Sequence, residues 1–275
     1  PKVRSALKEF TTTSSSGTLR VAAGQTATIG SIGFINDGGT LQADGTLNFA
    51  GNNATFNSGT RFTGSGSNLV TGNATFNGAI TSANLKLQNG TYSGGSAVLS
   101  GTTDFTGGVF TGIWEVAAGH TLRAGSGSNK FMSAASFANK GSVQWQTSDS
   151  LFMQSGARID NQGLFDMQTG MSLLNNGGNV PTFDNSGTVR VAAGQSSTIG
   201  SIAFVNNAGI RDVGAGASLN FAGNNATFNA GTQFSGAGVA LVSSNANFNG
   251  AFSSSNLSLR NGTFAGTGAT LNGIA

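Results

Sequence analysis

The stretch GTLRVAAGQTATIGSIGFIN, Gly17 to Asn36, returns almost unchanged as GTVRVAAGQSSTIGSIAFVN, Gly187 to Asn206, an offset of 187 − 17 = 170. Further out, FAGNNATFN at Phe49 returns at Phe221, and LQNGT at Leu87 returns as LRNGT at Leu259. Both of these lie at an offset of 172, so two residues enter between them. The chain is therefore a duplicated block, residues 17–113 and 187–275, around a distinct centre, 114–186. A long internal repeat points to a repeat architecture before any other feature is weighed.

A shorter period lies inside the long one. Phe34-Ile-Asn36, Phe137-Ala-Asn139, Ile159-Asp-Asn161, Phe183-Asp-Asn185 and Phe204-Val-Asn206 share an apolar residue, a spacer and Asn, then small residues and a strand pattern. The last four Asn are separated by 161 − 139 = 22, 185 − 161 = 24 and 206 − 185 = 21, and the paired ATFN segments at Asn57 and Asn77 by 77 − 57 = 20. A period in this range suits one coil of a β-solenoid. After each Asn the pattern alternates. Leu19 and Val21, Val143 and Trp145, Phe165 and Met167, and Val189 and Val191 are predicted to face inward, with Arg20, Gln144, Asp166 and Arg190 outward. A one-residue slip would expose the whole apolar set, so the register is well specified. Stacking then sets Asp166 beside Arg190, with Arg211 expected one coil further, as a solvated ion pair worth under about 1 kcal/mol. The recurring Asn is expected at a tight turn, where it tolerates left-handed backbone, and identical amides can bond one another from coil to coil.

These patterns predict an all-β chain: a right-handed parallel β-helix of about 12 coils, roughly 60 Å long at the strand spacing. It is expected to be one β-helix over 13–275, preceded by a short amphipathic helix or cap over 1–12. In PKVRSALKEF, Val3, Leu7 and Phe10 fall at helical spacing, with Lys2, Arg4 and Lys8 mostly on other faces.

Composition narrows the function classes. Charged residues make up 8% of the chain, against about 25% in an ordinary domain. The 20 Phe supply a core and argue against disorder. A net charge of +3, with no basic cluster beyond Lys2, Arg4 and Lys8, gives no reason to expect nucleic acid. No apolar run approaches the roughly 18 residues of a membrane span. Because the chain starts at Pro1, a secretion leader is expected to have been removed or to lie outside this sequence.

VAAGQT at Val21, VAAGHT at Val116 and VAAGQS at Val191, each after a strand, resemble segments of bacterial β-helical surface proteins. These are the filamentous-haemagglutinin-like exoproteins, autotransporter passengers and Asn/Gly-rich matrix repeat proteins. The resemblance covers most of the chain from Gly17 onward. It implies an extracellular, cell-surface rod with an adhesive or matrix-forming role, and it carries over no catalytic residue.

Local chemistry agrees with that expectation. His120, the one histidine, lacks a nucleophile elbow, and as a corner residue it is expected in solvent. With no Cys and one His, no zinc site is expected, nor any cofactor. Asp160 and Asp184 precede ladder Asn and should stack in neighbouring coils. Paired carboxylates are the geometry of glycoside hydrolysis, so a carbohydrate-active β-helix of glycosidase, lyase or tailspike type is the alternative. An ice-binding solenoid would need repeated Thr-x-Thr ranks, which are not evident. Trp114, Trp145, Met132, Met153, Met167 and Met171 gather in the centre, either as core or as an exposed stripe for a partner. Partners are expected to be further copies stacked end to end, through Val3, Leu7 and Phe10 at one end and Leu271 and Ile274 at the other, with carbohydrate or a host or abiotic surface beside them.

Overall fold

The computed structural model describes residues 12–51, 53–223 and 226–275. The expected N-terminal helix, with Val3, Leu7 and Phe10, lies outside these residues. Thr12, assigned to that helix, instead opens the strand Thr12–Ser15.

The described chain is a parallel β-solenoid of about 12 turns, with strands and no helix. Each turn covers three faces with separate strands or with one strand that bends from face to face, and the strands pair in parallel from turn to turn. Face A runs from Thr12–Ser15 through Gly33–Asn36 to Leu257–Leu259. Face B runs from Thr18–Val21 through Thr40–Ala43 to Phe264–Ala265. Face C runs from Thr26–Ile29 through Thr46–Phe49 to Thr270–Gly273.

The duplicated blocks do not sit one above the other. Gly33–Asn36 lies on face A, while its repeat counterpart Ala203–Asn206 lies on face B. Likewise Thr40–Ala43 on B corresponds to Ile210–Val213 on C, and Thr46–Phe49 on C to Ser218–Phe221 on A. The second copy is thus turned by one face, because the residues between the copies do not make a whole number of coils. Coil length varies more than the sequence suggests. A short coil carries Leu241 to its stacking partner Ser258, and a long one carries Leu173 to Ile199. Short coils also occur where Ala74–Leu87, Gly90–Phe105 and Gly108–Val116 bend round corners without breaking, so that Thr75 stacks on Ser93 and Ser93 on Thr111.

Stacked side chains hold the coils in register. Asn139 donates to Asn161 at 2.7 Å, Asn161 to Asn185 at 2.6 Å and Asn185 to Asn206 at 2.7 Å, all buried. Asn206 then donates to Thr232, as Asn36 does to Thr60 in the first block. These Asn close their strands, and none has positive φ, so they are not the left-handed turn residues the sequence suggested. They are held instead by amide-to-amide bonds inside the wall, where an unmade bond would cost about 1–3 kcal/mol. Glycine follows for a steric reason. A Cβ on Gly209 would collide with the amides of Asn185 and Asn206.

The core is a stack of phenylalanines in both copies. Phe49 and Phe56 meet edge to face at 5.0 Å, and Phe221 and Phe228 do so at 5.2 Å. Burying each such ring is worth about 1.5–3 kcal/mol. All six central Trp and Met side chains are buried, with Met132 stacked on Met153. Around them lies a small apolar void of about 20 Å³, lined by Phe110, Met132, Trp145 and Phe165 among others.

Arg211 departs from expectation. The rung above Arg190 is Asp212, and Arg211 stacks on Val189, pointing inward with no exposure. In Ile210–Val213 either register buries one charge, and the one adopted buries Arg211 with Val213 rather than Ile210 with Asp212. Its guanidinium lies 4.5 Å from the Phe234 ring centre and donates to the Gly209 and Gln233 carbonyls, while Nε and Nη1 find no acceptor. Burial without a counter-charge pushes its pKa down to about 9.

Candidate binding face

The outward positions of the three faces differ in chemistry. Face C carries one column on which charge alternates through successive coils: Lys86, Asp104, Arg123, Gln144, Asp166, Arg190 and Asp212. Arg123 meets Asp104 at 2.8 Å and Arg190 meets Asp166 at 2.7 Å. The second pair is not fully solvated: Asp166 is 1% exposed and Arg190 44%, so the arginine roofs over the carboxylate. Opposite charges on adjacent rungs favour this register, and like charges would oppose it.

Face B carries Asp160 and Asp184 on adjacent rungs, as the sequence implied. Arg158 reaches diagonally to Asp184 at 2.9 Å, and Gln162 donates to Asp160 at 2.8 Å. Burial raises the Asp184 carboxyl above its ordinary range, Arg158 opposes that, and Asp160 adds to it. Glu115 and Lys140 form a further ion pair on this side.

Face A is different. Among the described residues, no charged side chain occupies its outward positions; Lys130, the charged residue in its strands, points inward to Asp149 at 3.1 Å and lies against Trp145. Its first outward column changes character along the rod. Thr91 is followed by Val109, Phe131, Phe152 and Leu174 on successive rungs. Phe131 and Phe152 stack at 5.3 Å with planes 22° apart, half-exposed. The second column is polar, with Thr55, Thr75, Ser93 and Thr111 in consecutive coils. Beyond it Gln154 donates to Ser133 at 3.2 Å, and Asn176 to Gln154 at 2.8 Å.

Two shallow troughs follow these columns. One is lined by Asn53, Thr55, Asn73, Thr75, Thr91 and Ser93. The next shares Thr91 and runs past Asn89, Ser128 and Asn129 to Val109 and Phe131. Together they make an uncharged groove along the rod, polar at one end and apolar at the other.

Of the residues singled out from sequence, His120 is half-buried rather than fully in solvent. Leu271 and Ile274 are exposed, at 37% and 70%. Leu271 lines a further apolar trough with Phe252, Leu257, Leu259 and Phe264 at the last coils. The Phe131–Phe152 strip was missed, although a signal was there. Each Phe precedes one of the two stacked Met, and period-two alternation requires that if Met132 and Met153 point in, Phe131 and Phe152 point out.

No group of three or more His, Asp or Glu side chains capable of holding a metal ion occurs among the described residues. No helix there is long and apolar enough to cross a membrane. Comparison with protein-family models, with curated proteins and with solved structures finds no match for this chain.

Proposed function

We propose that this chain is a structural and adhesive β-solenoid of a bacterial cell surface, secreted and assembling end to end into a filament or matrix. The observation that carries the reading is the wall itself: an unbroken stack of coils whose three faces differ in charge, with one long face left neutral. Such a surface offers many weak contacts at the strand spacing, and repetition along a rod raises avidity without a deep pocket. Phe264 and Leu271, which share an exposed apolar trough at the last described coils, support stacking of a further copy there.

Sedimentation velocity over a wide concentration range tests assembly. Growth with concentration is expected, with Leu271→Asp leaving single rods of unchanged fold. A monomer at every concentration would overturn end-to-end assembly.

One observation favours a second reading. The raised carboxyl of Asp184 beside Asp160 is the kind of pair that acid–base chemistry uses. Asp160→Asn with Asp184→Asn is expected to leave a polysaccharide panel untouched in both proteins. Cleavage by the parent that disappears in the double variant would establish the enzyme reading instead.

A further inference from the structure

We infer that the neutral groove of face A binds an extended, uncharged polysaccharide lying along the rod axis. This rests on the adhesive reading and names the ligand class for it. Three observations converge. First, apolar side chains stay half-buried in register on this face: Val109 and Phe131 line the groove, and Phe152 and Leu174 continue their column beyond it. Four rungs at the strand spacing make a strip roughly 14 Å long. Second, hydroxyls and amides border that strip on both sides, Asn89 and Ser128 on one and Ser133 and Gln154 on the other. Third, the charges are kept to the other faces. Those on face C already answer one another, so an anionic polymer gains nothing on face A.

This arrangement matches the two surfaces of a pyranose ring. The C–H groups of a sugar form an apolar face, and its hydroxyls project from the edge as donors and acceptors. Phe131 and Phe152 each turn one ring face to the other, so the sugar's C–H face meets the remaining ring surface and the side-chain methyl groups of Val109 and Leu174 while its hydroxyls reach the bordering columns. Hydroxyl and amide groups both donate and accept, which suits a ligand whose hydroxyl hydrogens are free to rotate. A second copy of the rod would also cover an apolar strip. However, one column of four rungs is narrow beside the roughly 800 Å² per partner of a stable protein interface.

Native gels cast with neutral polymers (hydroxyethylcellulose, xyloglucan and dextran), and in parallel with anionic alginate, test the assignment. Retardation by at least one neutral polymer and none by alginate is expected. Phe131→Ser with Phe152→Ser should weaken that binding about tenfold or more, which is about 1.4 kcal/mol or more. Thr91→Arg, at an exposed position, should do the same without touching the apolar strip, and melting curves establish that both variants fold. No retardation by any neutral polymer overturns the inference, as does equal retardation of parent and variants, or equal binding of alginate. Polymer-free pairing of rods that the Phe variant abolishes would assign the face to a second copy instead. Filaments that form and adhere normally in both variants would sink the polysaccharide assignment and leave the structural reading intact. Polymer binding by rods that neither assemble nor adhere would do the reverse.

Discussion

Arg211 holds in the second block the inward position that Leu41 holds in the first, and both side chains are fully buried. Their rungs also correspond: Leu41 lies between Leu19 and Phe62, and Arg211 between Val189 and Phe234. The duplication therefore supplies its own control, the same site filled once by a hydrocarbon and once by an unpaired cation.

Arg211→Leu should raise stability by about 2 kcal/mol, since a buried cation with two unmade hydrogen bonds is exchanged for the residue its counterpart site already accepts. Chemical denaturation checks this. An unchanged or lower midpoint would mean that the contacts with Phe228 and Phe234 outweigh desolvation.

Phe183→Asp sets a charge among Ile159, Phe165 and Phe204, where no counter-charge stands. A loss of more than about 4 kcal/mol is expected. In a solenoid each coil depends on its neighbours, so hydrogen exchange should quicken in the flanking coils as well. A melting temperature within a degree of the parent would contradict the inward placement.

Asn185→Ala removes the middle of the amide ladder, leaving the Asn161 amide and the Asn206 carbonyl each short of a buried partner. The cost should be about 2–4 kcal/mol. Adding Asn161→Ala should cost much less than the sum of the single changes, because the orphaned donor goes with it. Additive losses in a double-mutant cycle would show that the ladder is not coupled.

The Lys130–Asp149 pair gives a pH dependence. Burial lowers the Lys130 pKa, and Asp149 pulls it back. Burial would raise Asp149, but bonds from Thr147 and Lys130, with the Lys130 charge, hold it below the ordinary carboxylate range. Its folded value thus lies under its unfolded one. The stabilisation is full above the unfolded value and is lost as pH falls through the folded value. Asp149→Asn should cost about 2–3 kcal/mol at neutral pH, below the range for a fully buried pair because Asp149 is partly exposed. The difference between parent and variant should shrink on acidification from about pH 5 to about pH 2. A gap that stays constant over that range would show that the pair does not contribute.

The candidate face was only half legible in the sequence. Phe131 and Phe152 were there to be read from their places beside the two Met, but an outward aromatic has meaning only once its neighbours around the wall are known. The same holds for the charges of face C. Lys86, Asp104 and Arg123 follow one another more closely than the expected period, because the strands there turn their corners at single positions such as Ser96, Gly101 and Gly112 without breaking into loops.

The sequence by itself determined the solenoid: its repeats, the alternation of inward and outward residues, the stacking of Asp166 on Arg190 and of Asp160 on Asp184. Those follow from local period and spacing, which covalent geometry transmits from one residue to the next. Tertiary structure alone decided the one-face turn between the two copies, the inward course of Arg211 and the separation of charge onto faces B and C. Each depends on summed coil length and on which side chains a whole coil can bury, and neither quantity belongs to any short stretch of chain.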